Sequence, residues 1–377
     1  MKKIIHLSLS LMLFGCATSN GQQAQGLKGF ENLLSPDGAE TYSLEDRMAY
    51  FGVPGVSIAV IKNGELSWAR GYGVLQNGGD EEVDSETVFS VGSVSKVGTA
   101  FSILRLVDQG KLQLDEDVNG YLTRWQIPEN EFTRSNPVTL RRIMSHTAGL
   151  TVHGYADFLP NEELPSTVEI LNGKYPAKNQ PIEVDIPVGS QYRYSGGGTQ
   201  VLQLVIEEVT GDNFMEATKK LLFQPLNMNR SSYENPLPER HGNIAKAHNA
   251  NGQPVALPRG YQSMPEMAAS GLWTTPTDLA KMMISIMNSY HDNDILSQEL
   301  VEDMLTQVSP GDYGLGPRVW EIDGKKVFSH GGANDSYRAS FRGYLDEKNG
   351  YVILTNGRRG SELIGEISEV LIKSEGL

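Results

Sequence analysis

Ser93 stands three residues before Lys96 in the stretch from Phe89 to Val97, and no other Ser or Thr in the chain has a Lys at that spacing. Val97, Ala100, Phe101 and Leu104 then recur at helical spacing. The pattern predicts a helix from Ser93 to Gln109, stopping at Gly110, a residue suited to the position just past a helix. One helical turn puts Ser93 and Lys96 on the same face, hydroxyl beside amine. The helix N-terminus adds N–H donors and partial positive charge. Such a pair is an activated nucleophile with half an oxyanion hole, provided burial keeps the amine neutral. In isolation the same pair also reads as a helix cap followed by a solvated lysine. The rest of the chain has to decide between the two.

Two further stretches carry chemistry-bearing residues beside glycines. Tyr194-Ser195-Gly196-Gly197-Gly198 places a phenol at the start of an apolar helical pattern, with glycines that permit close backbone approach. His330-Gly331-Gly332-Ala333 follows a strand-like run, where glycines let a substrate lie along a sheet edge. Each alone also reads as local structure, a helix start or a glycine bulge. Other hydrolytic designs are absent. No serine sits in Gly-x-Ser-x-Gly, no His-Glu-x-x-His occurs, and the 7 histidines are scattered. No metal or organic cofactor is indicated.

The elements that must hold these residues are β at both ends of the chain and helical between. Residues 53–61 and 65–73 read as a hairpin around Asn63-Gly64, with the first strand buried on both faces. Strands are expected at 326–330, 337–345 and 351–355, with a turn at Lys348-Asn349-Gly350 and a closing helix over 362–372. Between them, Thr139, Thr275 and Ser297 open helices to about 144, 290 and 307, and a further helix spans 199–209 before Gly211. Segments 150–190 and 229–270, rich in Pro, Gly and Asn, read as long loops shaping a cleft. The expected fold class is α+β: an antiparallel sheet built from both chain ends, flanked by helices, with an inserted helical subdomain. Its boundaries are read as 30–90 and 315–376 for the sheet part and 91–314 for the insert, one domain over 30–376.

Lys2 and Lys3 precede an apolar run from Ile4 to Phe14, the pattern of a secretory signal over 1–15. Leu13-Phe14-Gly15-Cys16 resembles the bacterial lipobox, in which the cysteine is acylated. Cys16 is the only cysteine of 377 residues, which suits an anchor and excludes a disulfide within the domain. Residues 16–29 read as a flexible tether. The expectation is an exported protein of the bacterial periplasm or envelope, held to a membrane by an N-terminal lipid. A net charge of -14 argues against nucleic acid as a partner. A small molecule or peptide is the expected substrate.

Taken together, Ser93-x-x-Lys96, Tyr194-Ser195-Gly196 and His330-Gly331-Gly332 resemble, in order, the three motifs of the serine β-lactamase and penicillin-binding-protein superfamily, in its class C-like branch. Ser145-His146-Thr147-Ala148-Gly149-Leu150, Gln224-Pro225-Leu226-Asn227-Met228 and Gly271-Leu272-Trp273-Thr274-Thr275-Pro276 are similar to flanking phrases of that branch. The resemblance covers about residues 30 to 375. It implies an acyl-enzyme on Ser93, with Lys96 or Tyr194 as the proton acceptor. It further implies an oxyanion hole from the N–H groups of Ser93 and Ala333, and His330 orienting Tyr194 or touching substrate. Two departures bear on specificity. Gly196 replaces the Asn of Tyr-x-Asn, which contacts a substrate amide, and His330 replaces the Lys of Lys-Thr-Gly, with Arg338 or Arg342 as substitute cations. Gly196, His330, Gly331, Gly332 and Arg338 are therefore the expected substrate-binding positions. Both departures tilt away from a dedicated β-lactamase and favour an esterase or D-amino-acid peptidase; the lost Asn leaves room for a non-catalytic penicillin-binding envelope protein, against which the intact Ser93, Lys96 and Tyr194 argue.

Overall fold

The computed structural model describes residues 30–377 apart from positions 37, 39 and 135. The expected signal 1–15, Cys16 and the tether 16–29 lie outside the described residues. Both ends of the described chain build one six-stranded antiparallel sheet. The first end supplies β1 (Gly55–Lys62) and β2 (Glu65–Gly73), and the chain returns much later, after β3 (Phe89–Ser90) and β4 (Trp273–Thr274). The other end supplies β5 (Arg318–Ile322), β6 (Lys325–Ala333), β7 (Arg338–Tyr344) and β8 (Asn349–Thr355). The order is β2-β1-β8-β7-β6-β5, so β1 and β8 pair across the sequence, with Val56 opposite Thr355 and Ile61 opposite Gly350. The hairpin turns at Asn63 and Gly64, both at positive φ (+52° and +76°), as a two-residue turn between twisted strands requires.

The sheet is covered on both faces, which explains the unbroken apolar run of β1. Val56, Ile58 and Val60 pack with α1 (Leu44–Phe51) and the C-terminal helix Gly360–Glu375. Ala59 and Ile61, one residue out of phase, join the larger core of the helical insert. That insert runs through α2 (Ser95–Asp108), α3 (Leu140–Met144), α4 (Thr167–Asn172), α5 (Gly196–Thr210), α6 (Phe214–Thr218), α7 (Met267–Ser270), α8 (Pro276–His291) and α9 (Gln298–Met304). The C-terminal helix is α10. Thr275 caps α8 by accepting the Asp278 N–H at 3.0 Å, with Pro276 at the first helical position.

Several boundaries differ from expectation for local reasons. The Ser93 region begins as a 3-10 turn over Gly92–Val94, and α2 proper starts at Ser95. Helix α5 starts at Gly196 rather than Thr199, because Ser195 caps it through the Gly198 N–H at 2.9 Å. The triple glycine is thus its first turn. Lys348 (φ +50°) closes the last hairpin, and Asn349 already pairs with Tyr344. Strand β5 escapes detection in the sequence because it is a short edge with only Val319 buried. Short helices α4 and α7 lie inside segments that read as loops.

Candidate active site

Lys96 Nζ lies 3.1 Å from Ser93 Oγ and donates to the Ala269 carbonyl at 2.8 Å. The lysine is 4% exposed, and among the described residues no carboxylate pairs with it. Burial alone drives its amine down to about 7, so a large fraction is neutral at neutral pH. The Ser93–Lys96 turn is tied down by its neighbour. Ser95 Oγ donates to the Gly92 carbonyl at 2.6 Å and accepts from the Leu272 N–H at 2.9 Å. Tyr233 holds the Ser95 carbonyl at 2.8 Å. The buried apolar face of α2, with Val97, Ala100, Phe101 and Leu104, anchors the helix in the insert.

Tyr194 closes the centre from the side of α5. Its ring centroid is 5.0 Å from Lys96 Nζ. Burial pushes the phenol above its usual range, against a hydrogen bond with Ser93 that pulls it down, so the group is a neutral phenol. His146 clamps this tyrosine. Its carbonyl accepts the Arg193 N–H at 2.8 Å, its Nδ1 accepts the Ser195 N–H at 3.2 Å, and its ring lies 4.2 Å from the Tyr194 ring. With Nδ1 an acceptor, Nε2 carries the proton, and that buried N–H has no partner. His146 adopts φ +59°, uncommon for a non-glycine residue and here part of the clamp. The sequence offered His146 only as part of a familiar phrase. Tyr313, which packs against the rings of His146, Tyr194 and His330, was not anticipated at all.

The third stretch arrives on β6. Strand β5 stops with Arg318 opposite Ser329, so His330 to Ala333 have a strand partner only on the β7 side. Gly332 is obligatory: a Cβ there would stand 1.8 Å from the Val91 carbonyl oxygen and 3.1 Å from the Ser93 nitrogen. A Cβ on Gly92, at φ +50°, would stand 2.6 Å from the Ala333 nitrogen. The two glycines bring the backbones at Ser93 and Ala333 side by side. His330 is buried, and burial followed by the Lys96 charge lowers its imidazole to about 4. Its Nδ1 is 2.6 Å from the Gly331 carbonyl, which leaves Nε2 a buried acceptor without a partner. The His330 ring is 6.3 Å from that of Tyr194.

The structure does not bring the two arginines to this centre. His330 pairs with Phe341, so Arg338 and Arg342, of opposite parity on β7, leave the sheet on the other face. Arg338 Cβ would be 3.1 Å from a Cβ on Gly360 of α10, and its guanidinium donates to the Asn334 and Tyr337 carbonyls at 2.6 and 2.8 Å. Arg342 lies against the rings of Trp320 and Tyr351. At Gly196 a side chain would be tight, and its neighbours would have to give by a few tenths of an ångström. A Cβ there would meet the His153 carbonyl oxygen and the edge of the Tyr155 ring, each at 3.1 Å.

Residues 43–369 match the Beta-lactamase family. The chain belongs to that family. The teichoic acid D-alanine hydrolase of Staphylococcus aureus is 25% identical to it over 260 residues, 69% of this chain and 61% of the relative. The chain therefore spans less than two thirds of that relative's length. An octameric penicillin-binding protein homologue from Pyrococcus abyssi superposes with a TM-score of 0.70 at 25% identity, over 88% of this chain and 76% of that one. A class C beta-lactamase gives 0.67 at 21% identity, over 86% and 93%, a likeness of fold. The chain has the α+β architecture expected from its sequence, the one it shares with these structures.

Proposed function

We propose that the protein hydrolyses carboxylic esters, D-alanyl esters among them, through an acyl-enzyme on Ser93. The observation that carries this reading is the buried, acid-free Lys96 amine 3.1 Å from Ser93 Oγ. Lys96, near 7, takes the Ser93 proton as the oxygen attacks the carbonyl carbon. The oxyanion that forms is met by the N–H groups of Ser93 and Ala333. Tyr194, a neutral phenol, donates its proton to the departing alkoxide and recovers one from Lys96. Water then attacks the acyl-enzyme by the reverse relay, so one ester and one water give one acid and one alcohol. His330, Gly331 and Gly332 offer the substrate the unpaired side of β6.

The ester preference rests on Gly196, where the amide-reading carboxamide has no counterpart, and on the S. aureus relative, whose name specifies D-alanine hydrolysis. The test is a panel of p-nitrophenyl esters, D-alanyl esters, D-amino-acid amides and nitrocefin. Ester turnover with slow or no nitrocefin turnover supports the reading, and nitrocefin as the best substrate would replace it with a β-lactamase. Among the described residues no helix is long and apolar enough to cross a membrane. We read the protein as exported to the bacterial envelope and held there by a lipid on Cys16. Metabolic palmitate labelling that persists in Cys16→Ser would overturn the anchor.

A further inference from the structure

Glu266 is the most unusual side chain outside the reaction centre. It precedes α7, three residues before the carbonyl that holds Lys96. It is fully buried, and among the described residues neither carboxylate oxygen has a hydrogen-bond partner on another residue, its own backbone N–H alone pulling the carboxyl down by a hydrogen bond. Buried carboxylates are ordinarily paired or hydrogen-bonded, because stripping one of water is costly. Burial holds this one up at about 8, and nearby Asp157 adds to the effect.

Its surroundings link it, through Tyr155, to Gly196. Phe158 and Ser263 exchange two backbone hydrogen bonds of 2.9 Å, which joins the segment 155–158 to the one leading into Glu266. From that segment Tyr155 lays its ring against Gly196, and its hydroxyl is also buried without a partner. Gly196 is the position that in Tyr-x-Asn carries the substrate-reading amide. Charges of both signs lie on this side, and Asp335 is paired with Arg358 at 3.0 Å. Asp157 accepts from the Asp335 N–H at 3.3 Å, and Lys178, the nearby cation, is committed to Glu162 at 2.7 Å and to the Asp157 carbonyl at 2.9 Å. Beside Tyr155, His153, Gly154 and Ala156 are exposed, after Val152 at φ +63°.

We propose that Glu266, with the Tyr155 hydroxyl, receives the free α-ammonium of an aminoacyl ester whose carbonyl lies at Ser93. The proposal rests on the ester-hydrolase reading above and adds the chemistry by which it chooses its acyl group. An ammonium supplies a positive charge and three donors, and as it enters, the Glu266 carboxyl, protonated in the empty protein at neutral pH, gives its proton to solvent and becomes the paired anion. An N-acylated amine supplies neither the charge nor the donors, and its acyl group meets the ring edge of Tyr155 at Gly196.

The experiment compares D-alanine methyl ester with N-acetyl-D-alanine methyl ester, reading kcat/KM by acid release. The wild-type protein should favour the free amine by at least about tenfold, the weight of a charge-assisted hydrogen bond. Glu266→Gln should bring that ratio close to one, chiefly through KM for the free amine. A wild-type ratio near one, or in favour of the N-acetyl ester, overturns the assignment without any variant. Equal losses on both esters in Glu266→Gln also overturn it, since a purely structural carboxyl would act that way. Failure of the underlying reading looks different: neither methyl ester nor p-nitrophenyl acetate would be hydrolysed.

Discussion

The Ser93–Lys96 turn and the Glu266–Tyr155 pair both adjoin α7, yet they are built in opposite ways. In the turn the polar groups answer one another: Ser95 bonds at both ends, and Lys96 has both Ser93 and the Ala269 carbonyl. In the pair, Glu266 and Tyr155 keep buried oxygens without a partner on another described residue. The difference separates two tasks. Chemistry at a carbonyl needs groups fixed before substrate arrives, whereas selection needs groups whose partner is the substrate itself. A site of the second kind lowers stability in the empty protein, and stability measurements can therefore tell the two regions apart.

The largest effect belongs to the turn. Lys96→Arg keeps the charge and most of the length, but the guanidinium does not lose its proton. It should lower kcat/KM for a simple ester by about 10²-fold or more, as removal of a general base does. Near-normal activity in this variant would place the base elsewhere. For the wild-type protein, kcat/KM should rise as pH passes through about 7 and level off above, because Lys96 accepts a proton only when neutral. His330, near 4, stays neutral through that range and should add no second step. Gly332→Ala comes next. Its Cβ would force the Val91 carbonyl away, separate the two N–H donors, and cost about 10²-fold in kcat, comparable to loss of one oxyanion donor.

Stability sharpens the contrast. Ser95→Ala removes a hydroxyl bonded at both ends and should destabilise by about 1–3 kcal/mol in denaturant melts. Tyr155→Phe removes an unpartnered hydroxyl and should leave the midpoint unchanged or raised. Equal losses in the two variants would erase the distinction between the regions. A pH slope reads the pair in a second way. Glu266 has its carboxyl raised from 4.5 to about 8, so between those values the folded protein binds the proton that the unfolded chain has released. Stability should fall as pH rises through that window, and Glu266→Gln should remove that part of the fall.

The two regions also differed in how well the sequence revealed them. Ser93 and Lys96 were visible because a three-residue interval on a helix is local geometry, and the hairpins were visible because alternation and Asn-Gly turns are local too. Glu266 gave no signal. Its meaning depends on a bridge between Phe158 and Ser263, on the ring of Tyr155, and on what fails to reach it. His146 and Tyr313 stayed silent for the same reason, since their contacts join α3, α5 and the approach to β5. The arginines show the limit from the other direction. Proximity in sequence to the His330 strand made Arg338 and Arg342 attractive, but strand parity, fixed only by the register of Phe341 against His330, sends both to the α10 face. The edge strand β5 was lost because one buried residue in five is too faint a pattern.

Covalent labelling tests the central assignment most directly. A fluorophosphonate probe on the purified protein, followed by peptide mass spectrometry, should place one adduct on Ser93. The adduct should vanish in Ser93→Ala together with ester hydrolysis. An adduct on another residue, or ester hydrolysis undiminished in Ser93→Ala, would contradict the account.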